Sequence, residues 1–282
     1  MPHLANRNTI VVGVDGTDVS LSAARWAAAI AERARSPLVL VHAVSDSGRT
    51  DRTDRPAGEQ ILLQATAFLR RWHPRLPIES NSVSGEAESI LVDLSAHAAM
   101  TVVGAGRDGT VGSLSLGSTA LAVANGASSP VAVWRGENGH PVRHRWPVVV
   151  GVDGNPETEP AIAEAFELAA LFGVPIIAVH TWISNELPYP ADISAAGDAE
   201  RENALLAECL AGWTETFPDV VVKQVSIEAS PADVLLNYGS SAAMVVVGSH
   251  AHNRLLGALL GSTSQRLLRN SACPVLICRL VP

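Results

Sequence analysis

Two rhythms alternate along the chain. Short apolar runs rich in Val and Ile are separated by longer stretches with the 3.6-residue period of a helix buried on one side. Runs such as TIVVGVD (9–15) and MVVVG (244–248) carry no polar alternation, as expected of central parallel strands covered by helices on both faces. The pattern predicts strands over 9–15, 38–44, 77–83, 100–104 and 130–134, with helices over 18–35, 57–72, 86–98 and 117–126. It then predicts strands over 147–153, 175–182, 220–227, 244–248 and 274–278, with helices over 157–172, 198–216, 231–242 and 261–270. Strict alternation of strand and helix implies βαβ units, and therefore parallel sheets wound on both sides.

The pattern occurs twice. IVVGVDG at 10–16 returns as VVVGVDG at 148–154, AAMTVVG at 98–104 as AAMVVVG at 242–248, and LGST at 116–119 again at 260–263. Asp15 and Asp153 stand 138 positions apart, as do His42 and His180, whereas Gly104 and Gly248, Gly117 and Gly261, and Pro130 and Pro274 stand 144 apart. The second copy has therefore gained six residues between its second and fourth strands. GENGHPVRHRW (136–146), rich in Gly, Pro and charge, reads as a linker between a domain over 1–135 and a domain over 147–282.

Composition narrows the partners. With 17% charged residues and a net charge of −8, the chain lacks the basic face that nucleic acid or an anionic membrane surface requires. No apolar stretch approaches the roughly 18 residues of a membrane span, and the N-terminal MPHLANRN lacks a signal-peptide core. The three cysteines, Cys209, Cys273 and Cys278, have neither disulfide nor zinc spacing. The expectation is a cytoplasmic protein without disulfides.

In an open doubly wound sheet, ligands sit beyond the carboxyl ends of the strands, where strand order reverses. The first strands end at Asp15-Gly16 and Asp153-Gly154, and the second at His42-Ala43-Val44 and His180-Thr181-Trp182. The fourth strands run into GAGRDGTVGSLSLGST (104–119) and GSHAHNRLLGALLGST (248–263). Glycines let backbone N–H groups approach an anion closely. A helix starting at Gly117-Ser118-Thr119 or Gly261-Ser262-Thr263 aims unpaired N–H groups at it. The plainer alternative is that these serines cap their helices and the glycines only make turns. Asp15 and Asp153 would face the base or ribose of a nucleotide, or hold Mg²⁺; the plainer alternative for each is a helix N-cap. His42 and His180 are expected to be satisfied within the fold, while His250 and His252 could meet a phosphate. A P-loop is excluded, because the only lysine, Lys223, lies in a predicted strand. The dinucleotide pattern GxGxxG is absent after either first strand.

These features resemble the universal stress protein family in its tandem-domain form. The resemblance rests on VGVDG with a following helix, VHAV at the second strand, VVG before the loop, and Gly-Ser-Thr followed by a Ser-Pro-Val or Cys-Pro-Val strand. It implies two α/β domains, each with a Rossmann-like five-stranded parallel sheet of order 3-2-1-4-5. It also implies adenine-nucleotide binding, with ATP, accompanied by Mg²⁺, as cofactor. The family pattern G-x2-G-x9-G-[ST] is met at Gly104, Gly117 and Ser118, and at Gly248, Gly261 and Ser262. The middle glycine is replaced by Arg107 in the first copy and Ala251 in the second. If positive φ is needed there, the replacement costs on the order of 1 kcal/mol; Arg107 could offset this by meeting a phosphate, and His250 lies beside Ala251.

By the same resemblance, adenine is read by backbone near Val44 and by Asp15 in the first copy, and near Thr181–Trp182 and by Asp153 in the second. The fifth strands would pair into an intrachain pseudo-dimer, open to further dimerisation. The implied role is regulation of growth and stress response through ligand-dependent conformation or an unidentified protein partner. No general base, arginine finger or metal cluster for rapid phosphoryl transfer is evident, so activity would be limited to slow ATP hydrolysis. The other reading is a scaffold whose loops no longer bind nucleotide.

Overall fold

The computed structural model describes residues 8–44, 54–106, 116–135, 146–183, 194–249 and 260–279. Among these the chain forms two compact α/β units, the first carrying β1–β5 and the second β6–β10.

In the first unit β1 (Ile10–Gly13), β2 (Leu38–Val44), β3 (Ile78–Ser84), β4 (Met100–Gly104) and β5 (Val131–Trp134) alternate with α1 (Asp18–Ala34), α2 (Asp54–Arg70), α3 (Ala87–Ser95) and α4 (Ser118–Gly126). The strands lie in the order β3-β2-β1-β4-β5, each neighbouring pair parallel. In the second unit β6 (Val148–Val152), β7 (Ile176–Trp182), β8 (Val222–Glu228), β9 (Met244–Gly248) and β10 (Val275–Cys278) alternate with α5 (Glu159–Phe172), α6 (Ser194–Thr216), α7 (Pro231–Gly239) and α8 (Ser262–Asn270). Their order, β8-β7-β6-β9-β10, repeats the expected 3-2-1-4-5 arrangement. Helices α1 and α2 cover one face of the first sheet and α3 and α4 the other; α5 with α6, and α7 with α8, do the same in the second.

The strands form where the apolar runs stand, because each is enclosed on both faces: Val11, Val12, Leu38, Leu40 and Val102 are fully buried, as are Val148, Val149, Val150, Val245 and Val246. Helix ends depart from the periodicity by a few residues. α3 stops at Ser95 because the chain tightens into i→i+3 bonds, with the N–H groups of Ala96, His97 and Ala98 donating to Asp93, Leu94 and Ser95. α5 is preceded by a separate 3₁₀ turn, Pro156–Thr158. The extra residues of the second copy lie between β7 and α6, and part of them lengthens α6, which has 23 residues against 17 in α2. The expected linker, 136–146, falls outside the described residues except for Trp146.

The cores are filled differently. Trp26 of α1 packs on Trp134 of β5, ring centroids 5.9 Å apart. The positions matched by the 138 and 144 offsets are Glu164 and Cys278. The second unit places its aromatics elsewhere, with Phe166 of α5 stacked on Trp213 at 6.1 Å and tilted against Phe217 at 5.7 Å.

Candidate functional site

Strand order reverses between β1 and β4 in the first sheet and between β6 and β9 in the second. At each reversal, beyond the carboxyl ends of the strands, lies a cavity, of about 390 Å³ in the first unit and about 460 Å³ in the second. Gly104, whose added Cβ would stand 2.9 Å from Val19 Cγ1, lets the end of β4 pass against the first turn of α1; Gly248 does the same against Glu157 and Thr158.

One wall of each cavity is a helix start. Gly117 is the N-cap of α4, in extended conformation (φ −62, ψ 153), and Gly261 is the N-cap of α8 (φ −60, ψ 160). Ser118 and Ser262 are thus the first helical residues rather than caps, and no side chain caps either helix. The first intrahelical bonds to the cap carbonyls come from Leu121 and Gln265, which leaves the three preceding N–H groups of each helix without an intrahelical acceptor. Ser118 and Thr119 line the first cavity with Gly104 and Gly117; Ser262 and Thr263 line the second with Gly248 and Gly261. Among the described lining residues of either cavity there is no Lys or Arg, so an anion here would be met by N–H and hydroxyl groups and the helix dipole.

Asp15 and Asp153 line the cavities as well. Asp15 Oδ1 accepts from the Thr17 N–H at 2.9 Å and the Thr17 hydroxyl at 2.7 Å. Burial raises the Asp15 pKa, but hydrogen bonds from Ser20 and Thr17 outweigh it and hold the carboxyl below the usual carboxylate range. Asp153 Oδ1 accepts from the Asn155 N–H at 3.0 Å and from the Thr158 hydroxyl. Helix α1 is capped by Thr17, whose hydroxyl accepts from the Ser20 N–H at 3.2 Å, so Asp15 lies outside the cap position. Oδ1 of each carboxylate is committed to its own turn, and Asp153 Oδ2 also accepts from the Asn155 side-chain amide at 3.5 Å. Gly16 and Gly154 make that turn at φ 85 and 80, in the region that side chains other than glycine avoid.

Neither Gly16 nor Gly154 is among the cavity-lining residues, and the same holds for Val44 and Trp182. Alternation along β2 and β7 turns Val41 and Ala43, and Val179 and Thr181, toward the cavities. Val44 faces α2, where an added Cβ on Gly58 would come within 3.2 Å of its Cγ2. Arg107 and His250 lie outside the described residues.

The two strand-end histidines are held by the fold. His42 Nδ1 donates to the Val14 carbonyl at 2.7 Å, and His180 Nδ1 to the Val152 carbonyl at 2.8 Å. His180 Nε2 also pairs with Glu202 at 2.7 Å, where the first unit has Gly58 at the matched position. Motif reading passed over Thr17 and Ser20 and their counterparts Asn155 and Thr158, although these follow the same 138 offset as Asp15 and Asp153.

The chain matches the family model described as the universal stress protein family over residues 6–135 and again over 146–279. It is 34% identical to a universal stress protein of Mycolicibacterium smegmatis over 99% of both chains. To one of Mycobacterium tuberculosis it is 34% identical over 96% of both. A solved universal stress protein from Archaeoglobus fulgidus, 14% identical, shares the fold over 97% of this chain and 98% of its own, with a TM-score of 0.74. The repeated sheets, the paired clefts and these likenesses agree: the chain belongs to the universal stress protein family.

Proposed function

We propose that each unit binds an adenine nucleotide, ATP with Mg²⁺, and that occupancy of the two clefts sets a conformation read by a protein partner during stress response and growth control. The observation that carries this reading is the uncapped helix start, present twice, facing a cavity at the reversal of strand order. In it the phosphates rest on Gly117-Ser118-Thr119 and Gly261-Ser262-Thr263. The ribose lies by Asp15 or Asp153, and the base lies over the end of β2 or β7. Arg107 and His250 are assigned to the phosphate side. Turnover is at most slow, since the described groups at the cavity offer N–H and hydroxyl donors and a helix dipole to phosphate rather than an evident base.

The test places a carboxylate on each helix start. Ser118→Asp and Ser262→Asp are favourable at the first turn of a helix and repel phosphate from it. Titration calorimetry with Mg-ATP is expected to give two sites per chain in the parent, one in each single variant and none in the double variant. A parent chain that binds no Mg-ATP, and from which heat releases no adenine nucleotide detectable by mass spectrometry, would leave the scaffold reading. The replacement of the middle glycine by Arg107 and Ala251 is the observation favouring that alternative.

A further inference from the structure

The cleft walls contributed by β2 and β7 match at Val41 and Val179 and differ one pleat further on, where the first has Ala43 and the second Thr181. Away from the helix starts, where Ser118, Thr119, Ser262 and Thr263 stand ready for phosphate, the other cleft hydroxyls but one are committed to the protein. Thr17 and Thr158 donate to Asp15 and Asp153, Ser20 donates to the Thr17 carbonyl at 3.0 Å, and Ser264 leans on the Gly248 carbonyl at 3.4 Å. The Thr181 hydroxyl has no hydrogen bond among the described residues, and the side chain faces the cavity half-buried. A half-buried hydroxyl without a partner in the chain is open to water and equally to a ligand that displaces it.

Its place in the sheet says which part of a ligand it would meet. The register pairs Val152 with His180, so Asp153, just beyond β6, stands beside Thr181. β9, which leads to Gly248 and on to α8, lies on the other side of β6. A nucleotide with phosphates on the start of α8 and ribose by Asp153 therefore carries its base over β7.

We propose that Thr181 is the base-selecting residue of the second cleft, and that Ala43 leaves the first cleft without this selection. The proposal rests on the adenine-nucleotide reading. The Thr181 oxygen accepts from the exocyclic amine of adenine, whereas the Ala43 methyl offers only contact. A site that hydrogen-bonds a ligand group rejects an analogue lacking it, because its own polar group is then left unpaired.

The measurement compares ATP with purine riboside 5′-triphosphate, which lacks that amine, in the two full-length single-cleft chains. The preference for ATP is expected to be about two- to tenfold greater in Ser118→Asp, which keeps the second cleft, than in Ser262→Asp, which keeps the first. Adding Thr181→Val to the former should remove the excess, and Thr181→Ser should retain it. Ala43→Thr in the latter should create it, which tests the idea even if Thr181→Val folds poorly. Equal preference in both chains, or an excess untouched by Thr181→Val and not produced by Ala43→Thr, would overturn the proposal and leave nucleotide binding intact. Absence of ATP binding in both single-cleft chains and the parent would overturn both.

Discussion

At the scale of single residues, the two copies serve as each other's controls. Helix α1 ends at Arg35 with φ 54, and α5 ends at the matched Gly173 with φ 64. The same left-handed conformation is strained for arginine and free for glycine. Arg35→Gly is therefore expected to stabilise the first unit by about 0.5–1 kcal/mol, read as a rise in the urea midpoint at unchanged slope. Glu164 shows the opposite kind of divergence. It occupies the position of the buried Trp26, and burial, reinforced by Glu167, pushes its carboxyl from the ordinary 4.5 up to about 7. A raised pKa means that the native state holds the proton more tightly than the unfolded chain. The associated stability is complete below pH 4.5 and is lost as pH rises to about 7. Glu164→Gln should flatten this part of the pH–stability curve and leave the protein more stable at pH 8 by roughly 2 kcal/mol. An unchanged slope between pH 5 and 7 in equilibrium unfolding would contradict it.

At the scale of elements, the periodicity was sufficient for the strands and less so for the ends of helices. β2, β4 and β9 occupy the residues that the apolar runs predicted, since burial on both faces leaves little freedom in where such a strand begins and ends. Helix ends depend on local hydrogen-bond geometry, which hydrophobic period does not encode; the i→i+3 bonds after Ser95 and the 3₁₀ turn before Glu159 are examples. Motif spacing likewise located the Gly-Ser starts of α4 and α8 and the carboxylates after β1 and β6. It did not show that Thr17 caps α1, nor that Ala43 and Thr181 face the clefts while Val44 faces α2. The period-2 alternation of β2 and β7 carries the second of these, once the cleft face is known. At this scale Gly154→Ala should cost more than an ordinary surface change, on the order of 1–3 kcal/mol, because the turn requires φ 80 and the new methyl would stand 2.8 Å from Leu205 Cδ2. Its effect should appear in second-cleft titrations and leave the first cleft unaltered.

At the scale of the whole molecule, duplication was the feature most fully legible, because fixed offsets survive where individual residues drift. What drifted is chemically specific: Ala43 against Thr181, Gly58 against Glu202, and Trp26 with Trp134 against Glu164 with Cys278. None of these pairs stands out in either copy alone. Ligand bound only to the native state stabilises it, by about 2.7 kcal/mol at a hundredfold excess over Kd. Hydrogen exchange under saturating Mg-ATP should therefore slow around the start of α4 in Ser262→Asp and around the start of α8 in Ser118→Asp. Slowing at both starts in either variant would contradict separate sites.

The bare glycine at the head of α4 and of α8 has a consequence for how such a protein changes over generations. At Gly117 an added Cβ would crowd the Gly106 backbone at 3.3 Å, but a side chain able to cap at Gly261 would add a few tenths of a kcal/mol to the ligand-free fold while occupying the donors that an anion would use. A laboratory screen for heat resistance alone would thus enrich chains that have become deaf to their ligand.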